Sequence, residues 1–163
     1  MNESQTGFTL IELMMALIIS AILATLAVPS FNDMIRKNRL AAMTNDFVST
    51  LNYARSEAVK RGAGVIVCSS NDQAGCTNTA WKDGWIVQLA STGEMLRAHA
   101  ALDGSGTELI NIEGKTDLQY TSQGMLSGNA ATTFMLCLQA GKPGRQIAIT
   151  ATGRPRSREY NGC

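Results

Sequence analysis

Residues 7–29 read GFTLIELMMALIISAILATLAVP. From Phe8 to Val28 the run is almost unbroken in apolar side chains, and about 20 such residues span a bilayer core as a helix. A secretory signal peptide is the plainer reading of such a stretch. Against it, the run exceeds the usual apolar region of about 7–15 residues, and no good small-x-small cleavage site with a clear break behind it comes before Pro29. Glu12 is out of place in the run. A carboxylate in the bilayer interior costs roughly 2.5–3.5 kcal/mol on insertion scales. It either sits near the interface, where it is tolerated, or it meets a cation. An α-amino group at Phe8, made by cleavage after Gly7, would supply one.

Beyond Pro29 the apolar positions become periodic. Leu40, Met43, Phe47, Leu51, Ala54 and Ala58 recur every three or four residues, which is one face of an amphipathic helix. Asn32 and Asp33 read as a cap or turn after Pro29, and Gly62 and Gly64 end the helix. Residues 8–61 therefore read as one long helix with a membrane half (8–29) and an amphipathic half (30–61). Met14, Met15, Met34 and Met43 are lipid or core filling.

After Gly64 the pattern changes to short β-like runs: 65–68, 84–89, 95–98, 108–112, 118–120, 133–138 and 146–150. Turn-forming residues separate them, among them Ser91-Thr92-Gly93, Ser127-Gly128-Asn129 and Lys142-Pro143-Gly144. A long helix followed by six or seven strands predicts an α+β fold, with the helix packed on one or two antiparallel sheets. Residues 30–163 form the head, in which 65–151 is the sheet region and 152–163 a basic tail. Trp81 and Trp85 read as core anchors.

The 163 residues leave room for one domain and an anchor, and the formal net charge is only +1. That balance hides an asymmetry. Lys142, Arg145, Arg154, Arg156 and Arg158 stand against Glu159 alone in the last stretch, whereas the rest of the chain is net negative. A local positive excess of this kind suits a polyanion or solvates a tail. Cys68, Cys76, Cys137 and Cys163 include no Cys-x-x-Cys pair, and the single His99 is remote from them in sequence, so no metal site is expected. In an exported head an even count reads as two disulfides. Of three possible pairings, Cys68–Cys76 closes a short polar loop and Cys137–Cys163 ties the C-terminal segment to a strand. No catalytic triad, zinc-protease or phosphate-loop motif is present, so neither enzymatic activity nor a cofactor is expected.

Gly7-Phe8-Thr9-Leu10-Ile11-Glu12 resembles the processing signal of type IV prepilins and type II secretion pseudopilins. The resemblance implies cleavage and N-methylation by a prepilin peptidase at Gly7 and Phe8. It implies pairing of Glu12 with a neighbouring subunit's N-terminus during assembly, and a proline kink at Pro29. It also implies a single-pass inner-membrane protein with a periplasmic head, later carried into a fibre with other pilins, near its tip. The leader departs from the family in having no Lys or Arg. A positive-inside count over Arg36, Lys37 and Arg39 would put the head in the cytoplasm; the resemblance and the cysteines outweigh it. Cys68, Cys76, Trp81 and Gly84-Trp85 extend the likeness to the GspH/FimT family.

Arg154, Arg156 and Arg158 alternate, and Pro155 favours extension at Arg154. In an extended segment the three share a side. Gly153-Arg154-Pro155-Arg156 resembles the Gly-Arg-x-Arg motif of FimT-type minor pilins, which implies DNA as a partner in natural transformation. The resemblance covers Arg154 and Arg156; Arg158, Arg145 and Lys142 are added on charge and expected proximity. The alternative is a structural, GspH-like pseudopilin of type II secretion with no nucleic-acid role.

Overall fold

The computed structural model describes residues 7, 9–104 and 106–163, with backbone alone for 26–30. The chain divides into two compact units, Met1–Asn38 and Arg39–Cys163. Helix α1 runs from Leu10 to Arg61, 52 residues. It passes through Pro29 without a break in helical backbone. Asn32 and Asp33, expected as a cap or turn, lie inside it. Asp33 instead pairs with Arg36 one turn on, at 3.6 Å, as residues three apart on a helix do.

In the first unit, Thr9 precedes the first helical residue. The Glu12 N–H donates to Thr9 Oγ1 at 3.3 Å, and the Thr9 N–H donates to Glu12 Oε2 at 3.4 Å. This reciprocal capping box satisfies two of the N–H groups that a helix start leaves open. The side chains from Leu10 to Thr25 are exposed all round the helix. Among the described residues no helix is long and apolar enough to cross a membrane. The expected span of 8–29 and the leader 1–7 fall partly outside the described residues.

The second unit holds the core. Among the described residues eight strands follow the helix: β1 (Val65–Ser69), β2 (Trp85–Leu89), β3 (Met95–His99), β4 (Glu108–Asn111), β5 (Asp117–Tyr120), β6 (Thr132–Cys137), β7 (Gly144–Ile149) and β8 (Pro155–Tyr160). They form two four-stranded sheets, ordered β3-β2-β1-β5 and β4-β6-β7-β8, and every pairing is antiparallel. The chain leaves the first sheet for β4, returns for β5 and leaves again for β6.

The amphipathic face works as its spacing predicts. Leu40, Phe47, Leu51, Ala54 and Ala58 are buried, and Met43 packs against them. Phe47 sits where the sheets meet. Its ring lies edge-on to Trp85 of the first sheet at 5.1 Å and to Phe134 of the second at 4.9 Å. Trp81 completes the cluster, 5.0 Å from Phe134. Both indoles are buried with their N–H groups used: Trp81 Nε1 donates to the Lys115 carbonyl at 2.7 Å and Trp85 Nε1 to Thr50 Oγ1 at 3.3 Å. His99 stacks on Trp85 at 4.0 Å, with one ring nitrogen against Asp46 and the other against the Ala100 carbonyl. It is a structural histidine.

Both expected disulfides are present: Cys68–Cys76 and Cys137–Cys163. The segment set apart as a basic tail is a strand. Pro155–Tyr160 forms β8, the outer edge of the second sheet. Its polar sequence carries no apolar alternation, so only pairing with β7 reveals it.

Candidate functional site

The hairpin β7–β8 carries four of the five basic residues singled out in the sequence. Its register pairs Ile149 with Pro155, Ala148 with Arg156, Ile147 with Ser157, Gln146 with Arg158, and Arg145 with Glu159. Ile147 and Ile149 are buried in the core. Alternation therefore puts Pro155, Ser157 and Glu159 on the core side, and Arg156 and Arg158 on the opposite, outer face. Arg158 Nε donates to Gln146 Oε1 of its outer-face partner at 2.6 Å. Tyr160 falls on the same face as the arginines, and its ring lies against Gly162. Arg154 opens the row from the hairpin turn. Arg154, Arg156 and Arg158 are all exposed, and alternate residues of a strand step by about 6.5–7 Å.

Two of the five do not join the row. Arg145 lies on the core-side face, half-buried and in register with Glu159. A two-residue period separates it from Arg158 as surely as sequence distance would. Lys142 is exposed in the turn before β7, at the end of the hairpin away from Arg154. The site drawn by charge alone thus contracts to Arg154, Arg156 and Arg158.

The hairpin turn is closed by Thr150. Its backbone N–H donates to the Arg154 carbonyl at 3.2 Å, and its carbonyl accepts from the Gly153 N–H at 2.8 Å. Its hydroxyl accepts from the Arg154 N–H at 3.4 Å. Gly153 has φ +76° and is buried. A Cβ there would run into the Gly124 carbonyl and the Tyr120 ring. Only glycine meets both conditions, so Gly153 seats the turn on the 121–126 loop. The Leu126 N–H adds a bond to the Ala151 carbonyl at 3.0 Å.

At the other end the Cys137–Cys163 bridge runs from β6 across β7 to the segment after β8. The two sulfurs occupy the space over Gly144, where a Cβ would strike Cys163 Sγ and the Leu136 carbonyl. Gly144, expected as a turn residue, is the place the disulfide crosses.

Several cations outside the row are held by partners. Arg36, Lys60, Arg61 and Lys82 each face a carboxylate, and the Arg39 guanidinium bonds the Asp103 carbonyl. Among the described residues no carboxylate lies within ion-pair distance of Arg154, Arg156 or Arg158. Guanidinium forks so placed match phosphate oxygens with two donors each. No group of His, Cys, Asp and Glu able to hold a metal occurs among the described residues. The processing pair is only partly visible: Gly7 is exposed, and Phe8 lies outside the described residues. Glu12, read as an assembly residue, caps its own helix through Thr9. Sequence reading missed that role, although Thr-x-x-Glu is the signal for it.

Comparison with known proteins gives a consistent result. Residues 43–153 match the family described as type II transport protein GspH, and residues 3–28 match the prokaryotic N-terminal methylation motif. Two crystal forms of the type IV minor pilin FimU of Pseudomonas aeruginosa (strain PAO1) are similar in structure. One has a TM-score of 0.65 at 24% identity, covering 78% of this chain and 97% of FimU. The other has a TM-score of 0.60 at 25% identity, covering 76% and 98%. No curated protein matches the chain.

Proposed function

The chain belongs to the GspH family of type II transport proteins, and from that premise we propose a minor pilin whose head binds DNA through the β8 arginines to support DNA uptake in natural transformation. A minor pilin or pseudopilin role follows from the family and the methylation motif together. The finer reading is carried by one observation: two exposed arginines on the outer face of an edge strand and a third in the turn that leads into it, none facing a carboxylate among the described residues.

In this reading the row tracks the phosphates of one strand and reads no sequence, since phosphate contacts position a protein without specifying bases. Three contacts give a log–log salt slope of roughly −3 on duplex DNA. One head therefore binds weakly, and several sites along a fibre raise the overall affinity. Delivery follows the N-terminal motif. A prepilin peptidase cuts between Gly7 and Phe8 and methylates Phe8. Glu12 then pairs with a neighbouring subunit's N-terminus as the protein leaves the inner membrane for the fibre, and other pilins are its assembly partners. The protein is a structural subunit in this reading and not an enzyme.

The test is a DNA titration of the full chain in detergent across salt concentrations, with Arg154→Ala/Arg156→Ala beside it. The double variant is expected to bind at least tenfold more weakly, with a slope near −1. In cells, transformation frequency is expected to fall while pilus assembly persists. Unaltered DNA binding by the double variant would overturn the assignment. The second reading, a structural pseudopilin of type II secretion, is favoured by the description of the matched family itself. It predicts no DNA retardation by the intact protein and a secretion defect on deletion.

A further inference from the structure

Strand register carries the outer face of β8 across the whole second sheet. Arg158 stands opposite Gln146, Gln146 opposite Met135, and Met135 opposite Ile110. One step along, Arg156 stands opposite Ala148 and Ala148 opposite Thr133. The Ile112 N–H donates to the Thr133 carbonyl at 3.0 Å, which continues that row past β4. Neighbouring strands lie about 4.8 Å apart, so β4 is roughly 14 Å from β8 across this face. The face changes character over that width. At β8 it is basic. Over β4 and β6 it is apolar: Ile110 and Ile112 are 48% and 50% exposed, and Met135 beside them is half-buried. The Arg158 guanidinium is drawn inward over the sheet, because its Nε donates to Gln146 Oε1 at 2.6 Å. The half-buried Tyr160 ring belongs to the same face.

We infer that this face takes DNA with unpaired bases, the phosphates on the arginines and the bases over the apolar half. The inference rests on the DNA-binding reading above and names the form of DNA that suits the site. A duplex turns its phosphates outward and keeps its bases stacked inside. It meets the arginines and gains nothing from Ile110, Ile112 and Met135. A single strand offers both surfaces at once, an anionic backbone on one side and unstacked bases on the other. Apolar and aromatic side chains take up such bases with little regard to sequence. The two halves of the sheet face lie side by side in the order that this ligand needs. The carboxylates of the face stand at its far side from β8, and each is engaged. Glu108 pairs with Lys82 at 3.0 Å, and Glu113 accepts from Thr132 Oγ1 at 2.7 Å and from the Thr133 N–H at 3.1 Å. A contiguous exposed apolar patch beside a charged rim marks an interaction surface.

The experiment titrates one short mixed-sequence oligonucleotide, as a single strand and as its blunt duplex, into the full chain in detergent at a fixed low salt concentration. The proteins are wild type, Ile110→Thr/Ile112→Thr, Ile110→Tyr and Arg154→Ala/Arg156→Ala. One well-placed base contact is worth about fivefold in affinity at the low end of the measured range, and wild type is expected to favour the single strand by at least that factor. Ile110→Thr/Ile112→Thr keeps β-branched side chains at exposed strand positions. It is expected to bring single-strand binding down to the duplex level and to leave duplex binding unchanged. Ile110→Tyr adds a stacking ring and is expected to tighten the single strand by about fivefold without affecting the duplex. It decides the matter should the threonine variant fail to fold by thermal melt. Equal binding of the two forms by wild type, with Ile110→Tyr altering neither, would overturn the inference and leave the apolar half to a protein partner. Equal weakening of both forms by Ile110→Thr/Ile112→Thr would overturn it too. No DNA binding by wild type, or binding that survives Arg154→Ala/Arg156→Ala, would instead overturn the reading on which it rests.

Discussion

The two disulfides of the head do different work. Cys68–Cys76 closes a loop of sequence separation 8, and Cys137–Cys163 one of 26. The shorter loop is tied by many other bonds. Asp72 Oδ1 accepts from Ser70 Oγ at 2.9 Å, from the Ala74 N–H at 2.9 Å and from the Gly75 N–H at 3.2 Å. Thr77 bonds back to the Ser69 carbonyl at 3.1 Å. At the end of the longer loop, residues 161–163 follow the last paired residue of β8, and the bridge over Gly144 holds them to the sheet. One disulfide therefore reinforces a loop that hydrogen bonds already shape. The other ties the segment just beyond an edge strand across the sheet to β6, and that strand bears the candidate site.

The largest effect expected from this contrast is on Cys137→Ser/Cys163→Ser. Chain entropy for a loop of that length is worth about 3.5 kcal/mol. Loss of the bridge is expected to lower stability by about that much in denaturant unfolding and, in the folded protein, to weaken DNA binding several-fold as β8 frays. Cys68→Ser/Cys76→Ser removes a smaller loop term, about 2.5 kcal/mol, and is expected to leave DNA binding within twofold of wild type. Equal losses of binding in the two double variants would break the comparison.

The smallest effect concerns pH. Hydrogen bonds from the Ala74 N–H, the Ser70 hydroxyl and the Gly75 N–H hold the Asp72 carboxyl below its usual range. Its contribution to stability is thus present above the ordinary carboxylate pKa and is lost as pH falls through the folded value. The amide resonances of Ala74 and Gly75 are expected to shift together at acid pH while those of β8 stay unmoved, by NMR titration. Coincident movement of β8 would show that the two regions are not independent.

Much of this was legible in the chain. The helix face was readable because Leu40, Phe47, Leu51, Ala54 and Ala58 repeat at helical spacing, and burial follows spacing directly. The disulfides were readable because few pairings existed and one partner pair lay close in sequence. The extent of the arginine site was only half readable. Alternation of Arg154, Arg156 and Arg158 is a local fact. That Arg145 faces the other way depends on the register of β7 against β8, which no local pattern carries in so polar a segment.

The sequence by itself determined the processing motif, the long two-part helix, the β-rich head and the alternation of its last arginines, since each is a matter of neighbours and period. Tertiary structure alone decided that β4 and β5 trade sheets, that the basic segment is an edge strand, and that Gly124 joins Arg55 of the helix to Gly153 of the hairpin. Those outcomes rest on contacts between residues tens of positions apart. Backbone pairing and the fit of a missing Cβ set such contacts, and neither is written in any one stretch of the chain.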